Sequence, residues 1–306
     1  MTTLPLQNTN APLCAVELEV FLDMPIPERA HILRPVIATQ SINMCHAPRG
    51  VGKTFAAGSI ALAVASGGSV YGWQAPCPQK VMYIDGEMPA VAMKERFSSL
   101  IKGMSIPPVA LKNIVLITPD LQSRPMPDLA SQAGQLLIEP LLEGVSLIII
   151  DNIATLCRSG KENEANSWQQ MQAWLLDLRR RGMSVLLIHH SGKNGDQRGT
   201  SAREDIMDTV ISLRRPQQYK MSEGARFEVH LTKARNLSGE EAEPFEAHLQ
   251  DDGESLAWAV SKIEDVRAKE LQALLDAGCT IREAAEEMGI SKSAAGRIKK
   301  QLEASR

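Results

Sequence analysis

Aromatic side chains are scarce in this sequence: 5 Phe, 4 Trp and 3 Tyr among 306 residues, 4% of the chain. A binding surface built from stacked rings has little to draw on. Cysteine is also sparse. The five thiols, Cys14, Cys45, Cys77, Cys157 and Cys279, are scattered, odd in number and without a CxxC pair, which excludes a disulfide framework and fits reduced thiols in a cytoplasm. They read as small buried hydrophobes. Neither sign of charge dominates, with 33 basic against 36 acidic side chains and a net charge of −3. That excludes a uniformly basic coating protein but leaves room for a local basic face. Long apolar runs are missing: an obvious one, Leu147 to Ile150, has the length of a strand, so no membrane-spanning helix is expected. The opening residues MTTLPLQNTNAPLC lack a positive start followed by an apolar stretch and do not read as a secretory signal. What is present is ordinary globular composition, 44% hydrophobic and 23% charged, with a mean hydropathy of −0.14. Its length suits one large domain or one large and one small.

Residues 1–40 are interrupted by Pro5, Pro12, Pro25, Pro27 and Pro35 and read as an irregular lead-in with one short apolar stretch, Val16 to Leu22. From Ser41 short apolar runs alternate with helical patterns. Ile42 to Cys45 precedes a helix from Thr54 to Ala65, and Lys80 to Ile84 precedes one from about Ala90 to Ile101. Asn113 to Ile117 precedes a helix through Leu129 to Leu142, and Ser146 to Ile150 precedes one from Ala165 to Arg181, with Ser184 to Ile188 beyond. Such alternation implies crossover units and a parallel sheet covered on both faces. The uninterrupted apolar strands SLIIID and SVLLIH agree, because strands buried on both faces need not alternate. After Met207 four runs are joined by turns: Thr209 to Leu213, Arg226 to Thr232, Phe245 to Leu249 and Leu256 to Val260. Their spacing predicts antiparallel additions to the sheet edge. The core is thus expected over 41–261, with an all-helical module over 264–306.

The sharpest motif is Ala47-Pro48-Arg49-Gly50-Val51-Gly52-Lys53-Thr54, followed by Phe55. It lies between the first core strand and the first core helix and matches GxxxxGK(S/T), with Ala at the first position. Glycines at 50 and 52 let successive N–H groups turn toward phosphate oxygens, and the helix adds the positive end of its dipole. Lys53 is placed to reach the β- and γ-phosphates of ATP, and the Thr54 hydroxyl to ligate Mg²⁺. Asp151 closes the strand Ser146 to Ile150 at its carboxyl end, where parallel sheets bind ligands, and is the second magnesium anchor. A water-activating Glu often follows that Asp; here Asn152 follows. The alternative is Glu87, just past the strand Val81-Met82-Tyr83-Ile84-Asp85-Gly86, with Asp85 as competitor.

A P-loop, a Glu after the neighbouring strand, an Asp without a following Glu and an antiparallel extension together resemble the RecA-like ATPases. Within them the pattern is similar to the RepA-type hexameric replicative helicases of broad-host-range plasmids, over roughly residues 30–250. GEMP after the second strand, LLIHHSGK after the fourth and QRGTSA downstream carry the likeness. The resemblance implies an α/β, RecA-like fold with a mostly parallel central sheet. It implies that His190, or its neighbour His189, senses the γ-phosphate. Lys233 and Arg235 resemble a KxR element that reaches into a neighbouring subunit's nucleotide, and Arg198 is a rival for that role. Loop 191–201, carrying Lys193, would face single-stranded DNA in a ring channel, on phosphates rather than bases.

The last segment reads as three helices: Glu264 to about Ala277, Thr280 to Met288, and a third from the N-cap Ser291 to about Glu303. Thr280 and Glu283 form a capping box. The short turn at Gly289-Ile290 gives a helix-turn-helix arrangement, similar to the compact DNA-binding modules of resolvases and regulators. Ser291, Lys292, Ser293, Arg297, Lys299 and Lys300 are the candidate contacts to duplex DNA. Charge supports this: 291–306 holds five basic and one acidic residue, 264–290 three and seven. The expectation is a cytoplasmic Mg²⁺-dependent ATPase, a homo-oligomer and in particular a hexamer, acting on DNA as a replicative helicase of a plasmid or mobile element. The rival is an ATP-regulated, site-specific DNA-binding regulator that separates no strands.

Overall fold

The computed structural model describes residues 13–158, 165–191, 204–235 and 237–304. A short helix α1 (Leu18–Leu22) buries none of its residues. It leads into a small hairpin, β1 (His31–Leu33) and β2 (Ile37–Ala38), and then to β3 (Ile42–Ala47) and α2 (Lys53–Ser66). A second hairpin, β4 (Ser69–Val70) and β5 (Trp73–Gln74), precedes β6 (Lys80–Asp85), α3 (Ala90–Gly103) and β7 (Ile114–Ile117). Then come α4 (Gln132–Ile138), β8 (Val145–Asp151), α5 (Ile153–Leu156), α6 (Ala165–Arg180) and β9 (Ser184–His190). The strands β10 (Thr209–Arg214), β11 (Arg226–Ala234), β12 (Phe245–Asp251) and β13 (Leu256–Lys262) follow, and α7 (Ile263–Asp276), α8 (Ile281–Glu287) and α9 (Lys292–Ala304) end the chain.

Nine strands form one sheet in the order β13-β12-β11-β10-β3-β9-β8-β6-β7. Strands β3, β6, β7, β8, β9 and β10 are parallel; β11, β12 and β13 extend the edge in antiparallel fashion. The expected α/β architecture is therefore present. One strand departs from expectation: β10 pairs antiparallel with β11 but parallel with β3, so it belongs to the parallel sheet and the antiparallel addition begins at β11. The connection of residues 191–208 has the length a parallel crossover needs, whereas only the later links are short enough for antiparallel neighbours.

The continuous apolar strands sort their side chains by period two. Cys45, Ala47, Val81, Tyr83, Leu147, Ile149, Leu186 and Ile188 face a core shared with α2. Met44, Met82, Ile84, Ile148, Ile150, Val185 and Leu187 face the opposite layer, which contains Trp168, Trp174, Leu175 and Leu178 of α6. Helix α2 is buried almost all round, which its Ala-rich sequence permits by letting strands and helices approach closely. Ile32, Leu33, Val36 and Ile37, within the expected lead-in, also join the first core, so packing begins upstream of residue 41. The predicted helix over 129–142 is shorter in fact. Ser131 caps α4 by accepting from Gly134 N–H at 3.1 Å, and Pro140 lies in a 3-10 turn that ends the helix because it lacks an N–H.

Five of the twelve aromatics meet in one cluster, Tyr71, Trp73, Phe227, Phe245 and Trp258, with ring centroids 4.9 to 6.3 Å apart. This cluster clamps the antiparallel extension to the hairpin β4-β5. Trp258 Nε1 also donates to Ser59 Oγ on α2 at 2.8 Å. The three C-terminal helices have their own small core of Leu271, Ala284, Ala285, Met288 and Ala295. Both halves of the Thr280–Glu283 capping box are formed.

Candidate active site

The parallel strands bring their carboxyl ends to one edge. Register pairs Ala47 with His190, and Asp85 with Asp151, so residues distant in sequence share one cleft. The P-loop leaves β3 there. Gly52 has φ 122°, a conformation that side chains other than glycine's rarely adopt, and a Cβ would lie 3.0 Å from Ala225 Cβ. Lys53 is buried, and its ammonium donates to the carbonyls of Ala47 and Pro48 at 2.8 Å each. Burial lowers its pKa, against which nearby Asp151 and Glu87 act. Phe55, the residue after the motif, lies under the Arg96 guanidinium at 4.8 Å.

Asp151 is buried at the end of β8, and Tyr83 Oη donates to its Oδ2 at 2.7 Å. The Thr54 side chain is hydrogen-bonded to the same carboxylate. Burial pushes Asp151 above the usual carboxylate range, while the Tyr83 and Thr54 hydrogen bonds and the Lys53 charge oppose this. Such a carboxylate gains most from a nearby divalent cation. The donors are all oxygen, and a hydroxyl with one carboxylate beside a phosphate loop fits Mg²⁺, which takes its other ligands from phosphates and water. Among the described residues no group of three or more His, Cys, Asp or Glu forms a metal cage.

Glu87 follows β6 through Gly86, where a Cβ would stand 2.5 Å from Thr155 Oγ1 and 2.7 Å from Leu156 Cγ. Only glycine allows the chain to pass α5 so closely. The two acidic candidates then diverge. Asp85 is buried and accepts from the N–H groups of Met88 at 2.8 Å and Glu87 at 3.3 Å, holding the turn. Its pKa rises to about 6, chiefly through burial. The Glu87 side chain is 60% exposed. Asn152 Nδ2 donates to Glu87 Oε2 at 2.6 Å and stands 3.2 Å from His190 Nε2, while His190 Nε2 lies 3.7 Å from Glu87 Oε2. Glu87, Asn152 and His190 thus form one polar cluster on the P-loop side. Burial lowers the His190 pKa, Lys53 lowers it further and Glu87 raises it, so the imidazole is neutral at pH 7. His189, its alternative, is fully buried and has no opening to the cleft.

Lys233 and Arg235 stand elsewhere. Ala234 pairs with Thr209, and Thr209 pairs with Asn43 near the start of β3, so both cations lie at the sheet end opposite their own P-loop. Lys233 donates to the Glu204 carbonyl, and Arg235 to the Asp205 carbonyl at 2.6 Å. Arg198 and Lys193 lie outside the described residues. On α9, Lys292, Ser293, Arg297 and Lys300 are exposed. Ser293, Arg297 and Lys300 share a face by their spacing. Ser291 is committed to the cap, accepting from Ala294 N–H at 3.2 Å, and Lys299 is partly buried.

Three participants go beyond the sequence pattern. Asn152 enters that pattern only as a missing Glu, and Tyr83 only as part of a strand. Arg215, whose Nη2 donates to the Gly50 carbonyl at 2.8 Å, carries no sequence signal. Tyr83 is discoverable: it sits two residues before Asp85 on the same face of a buried strand, where a hydroxyl needs a partner.

The sequence model of the AAA domain family matches residues 9–196. The chain belongs to that family. No curated protein matches it. Among solved structures it is similar to a KaiC-like protein from the hyperthermophilic archaeon Pyrococcus horikoshii, with a TM-score of 0.53 and 13% identity over 76% of this chain and 99% of that one. This likeness concerns the fold. Family and fold agree with the site: the AAA-domain chain is a RecA-like P-loop ATPase.

Proposed function

We propose that this ATPase is a Mg²⁺-dependent, ring-forming replicative DNA helicase of a plasmid or mobile element, working as a hexamer in the cytoplasm. Lys53 and the P-loop amides bind the phosphates of ATP, and Thr54 with Asp151 holds Mg²⁺. Glu87, aligned by Asn152, orients and deprotonates water, and His190 donates a hydrogen bond to the γ-phosphate. Lys233 and Arg235 complete a neighbour's site, with Arg198 as the alternative finger, and Lys193 faces the strand in the channel.

One observation carries the oligomer: Lys233 and Arg235 lie at the sheet end opposite their own P-loop, so they serve a nucleotide only when it belongs to another subunit. A cation supplied in trans accelerates hydrolysis by about 10³ to 10⁵ in other NTPases. Mixing Glu87→Ala with Arg235→Ala subunits is therefore expected to restore ATPase activity that neither has alone. No recovery in co-assembled mixtures removes the trans role. Unwinding is tested on a forked duplex with ATP, with Lys53→Ala as the inactive control. ATP-dependent binding without strand displacement favours the second reading, an ATP-regulated, site-specific DNA-binding regulator. That reading draws support from the C-terminal helices, where basic charge is concentrated on α9.

A further inference from the structure

Arg215 and the loop it opens touch both the phosphate loop and the turn between α8 and α9. On one side, Arg215 Nη2 donates to the Gly50 carbonyl of the P-loop at 2.8 Å. Its guanidinium lies 3.7 Å from the centroid of the Tyr219 ring, a contact that fixes its plane. Tyr219 is anchored in turn, its hydroxyl donating to the Gly224 carbonyl at 2.8 Å. On the other side, Gln218 Nε2 donates to the Glu287 carbonyl at the end of α8, 3.3 Å away. Gln217 packs against Gly289 so closely that a Cβ there would lie 2.7 Å from Gln217 Oε1. Glu287 ends α8, and Gly289 lies within the turn that leads to α9. The loop's far end is held as well: Arg226 pairs with Glu223 and Glu246 at 2.9 Å and with Glu270 of α7 at 3.5 Å. A stiff strut therefore runs from the phosphate loop to the turn that leads into the basic helix.

We propose that Arg215 is a positioning residue of the phosphate loop, and that loop 215–225 couples nucleotide at that loop to the turn between α8 and α9. Arg215 sets the orientation of the Gly50–Val51 peptide, whose N–H belongs to Val51 within the P-loop. A polyphosphate brings several negative charges to that loop and competes with the Gly50 carbonyl for the guanidinium. Movement of Arg215 carries Gln217 and Gln218, and with them their contacts to the C-terminal helices. Linkage makes the effect reciprocal: whatever engages the α8–α9 turn alters nucleotide affinity by the same factor. The inference rests on ATP binding by this family and is independent of whether strands are separated.

The test uses the full chain with mant-ADP and Mg²⁺ to measure affinity, and Mg·ADP at saturation for amide hydrogen exchange over residues 286–292. Unaltered protein is expected to change exchange there by roughly 5-fold or more, the lower end of ordinary coupling. Gln217→Ala with Gln218→Ala, neither of them a buried position, is expected to abolish the response while mant-ADP still binds. Arg215→Ala is expected to abolish it and to weaken mant-ADP roughly 5-fold, by the same coupling. Bound nucleotide with unchanged exchange over 286–292, or a response that persists in both variants, overturns the coupling alone. Failure of the unaltered chain to bind mant-ADP overturns the nucleotide site and the coupling with it.

Discussion

Replacing Asn152 separates the structural task of one side chain from the catalytic one proposed for it. Its Oδ1 accepts from Ala154 N–H at 3.0 Å and caps α5, while its Nδ2 holds Glu87 at 2.6 Å. Asn152→Ala removes both. Loss of the cap is expected to cost about 1 kcal/mol of stability. The bond to Glu87 adds little to stability because that carboxylate is largely exposed. Its weight lies in alignment: a base displaced by an ångström loses on the order of 100-fold, so kcat is expected to fall roughly 10- to 100-fold with KM nearly unchanged. Asn152→Ser keeps a capping oxygen on a side chain too short to reach Glu87. It is expected to recover the urea midpoint but not kcat in a steady-state ATPase assay with Mg²⁺. If the Ser variant regains full turnover, Asn152 is only a helix cap and Glu87 needs no alignment.

Three further outcomes are expected. Trp258→Phe leaves the buried Ser59 hydroxyl without its 2.8 Å donor and is expected to lower stability by about 1–3 kcal/mol in urea titration; an unchanged midpoint would remove this bond from the account of how the antiparallel edge is held. His46, buried beside His189, has its pKa lowered from 6.5 to about 4, first by burial and then by its charged neighbours. The unfolded chain binds the extra proton first, so this group withdraws stability as pH falls from 6.5 to 4, by at most about 1.4 kcal/mol per pH unit. Asp85, raised to about 6, acts in the opposite sense, so the informative quantity is the difference between the native protein and His46→Gln across that window. Parallel curves would refute the assignment. Finally, Arg297→Glu with Lys300→Glu is expected to weaken duplex binding and to reduce its salt slope by about 2, one for each phosphate no longer neutralised; equal binding at all salt concentrations would detach α9 from DNA.

How far the site is readable depends on distance along the chain. The P-loop is one contiguous segment with its strand and helix on either side, and Asp151 ends an apolar strand, so both can be placed from local pattern. Glu87 is legible because it follows a strand of the same kind. Its partner is not: Asn152 lies 65 positions away, and only the crossover order that sets β8 beside β6 brings the two together. The Tyr83 hydroxyl and Asp151, 68 positions apart, meet for the same reason. Strand direction is a further limit. Nothing within TVISLR distinguishes a parallel partner from an antiparallel one, and β10 takes the parallel place.

The sequence by itself determined that this chain folds as an α/β nucleotide-binding protein, because loop chemistry, strand burial and helix capping are local and periodic. It determined the three terminal helices as well, down to the Thr280–Glu283 box. The tertiary structure alone decided that five of the twelve aromatics meet in a clamp under the sheet extension. It decided that Lys233 and Arg235 stand away from their own P-loop, and that Arg215 reaches Gly50 across 165 positions. These are matters of sheet order and register, which arise from packing between segments and leave no trace in any one of them.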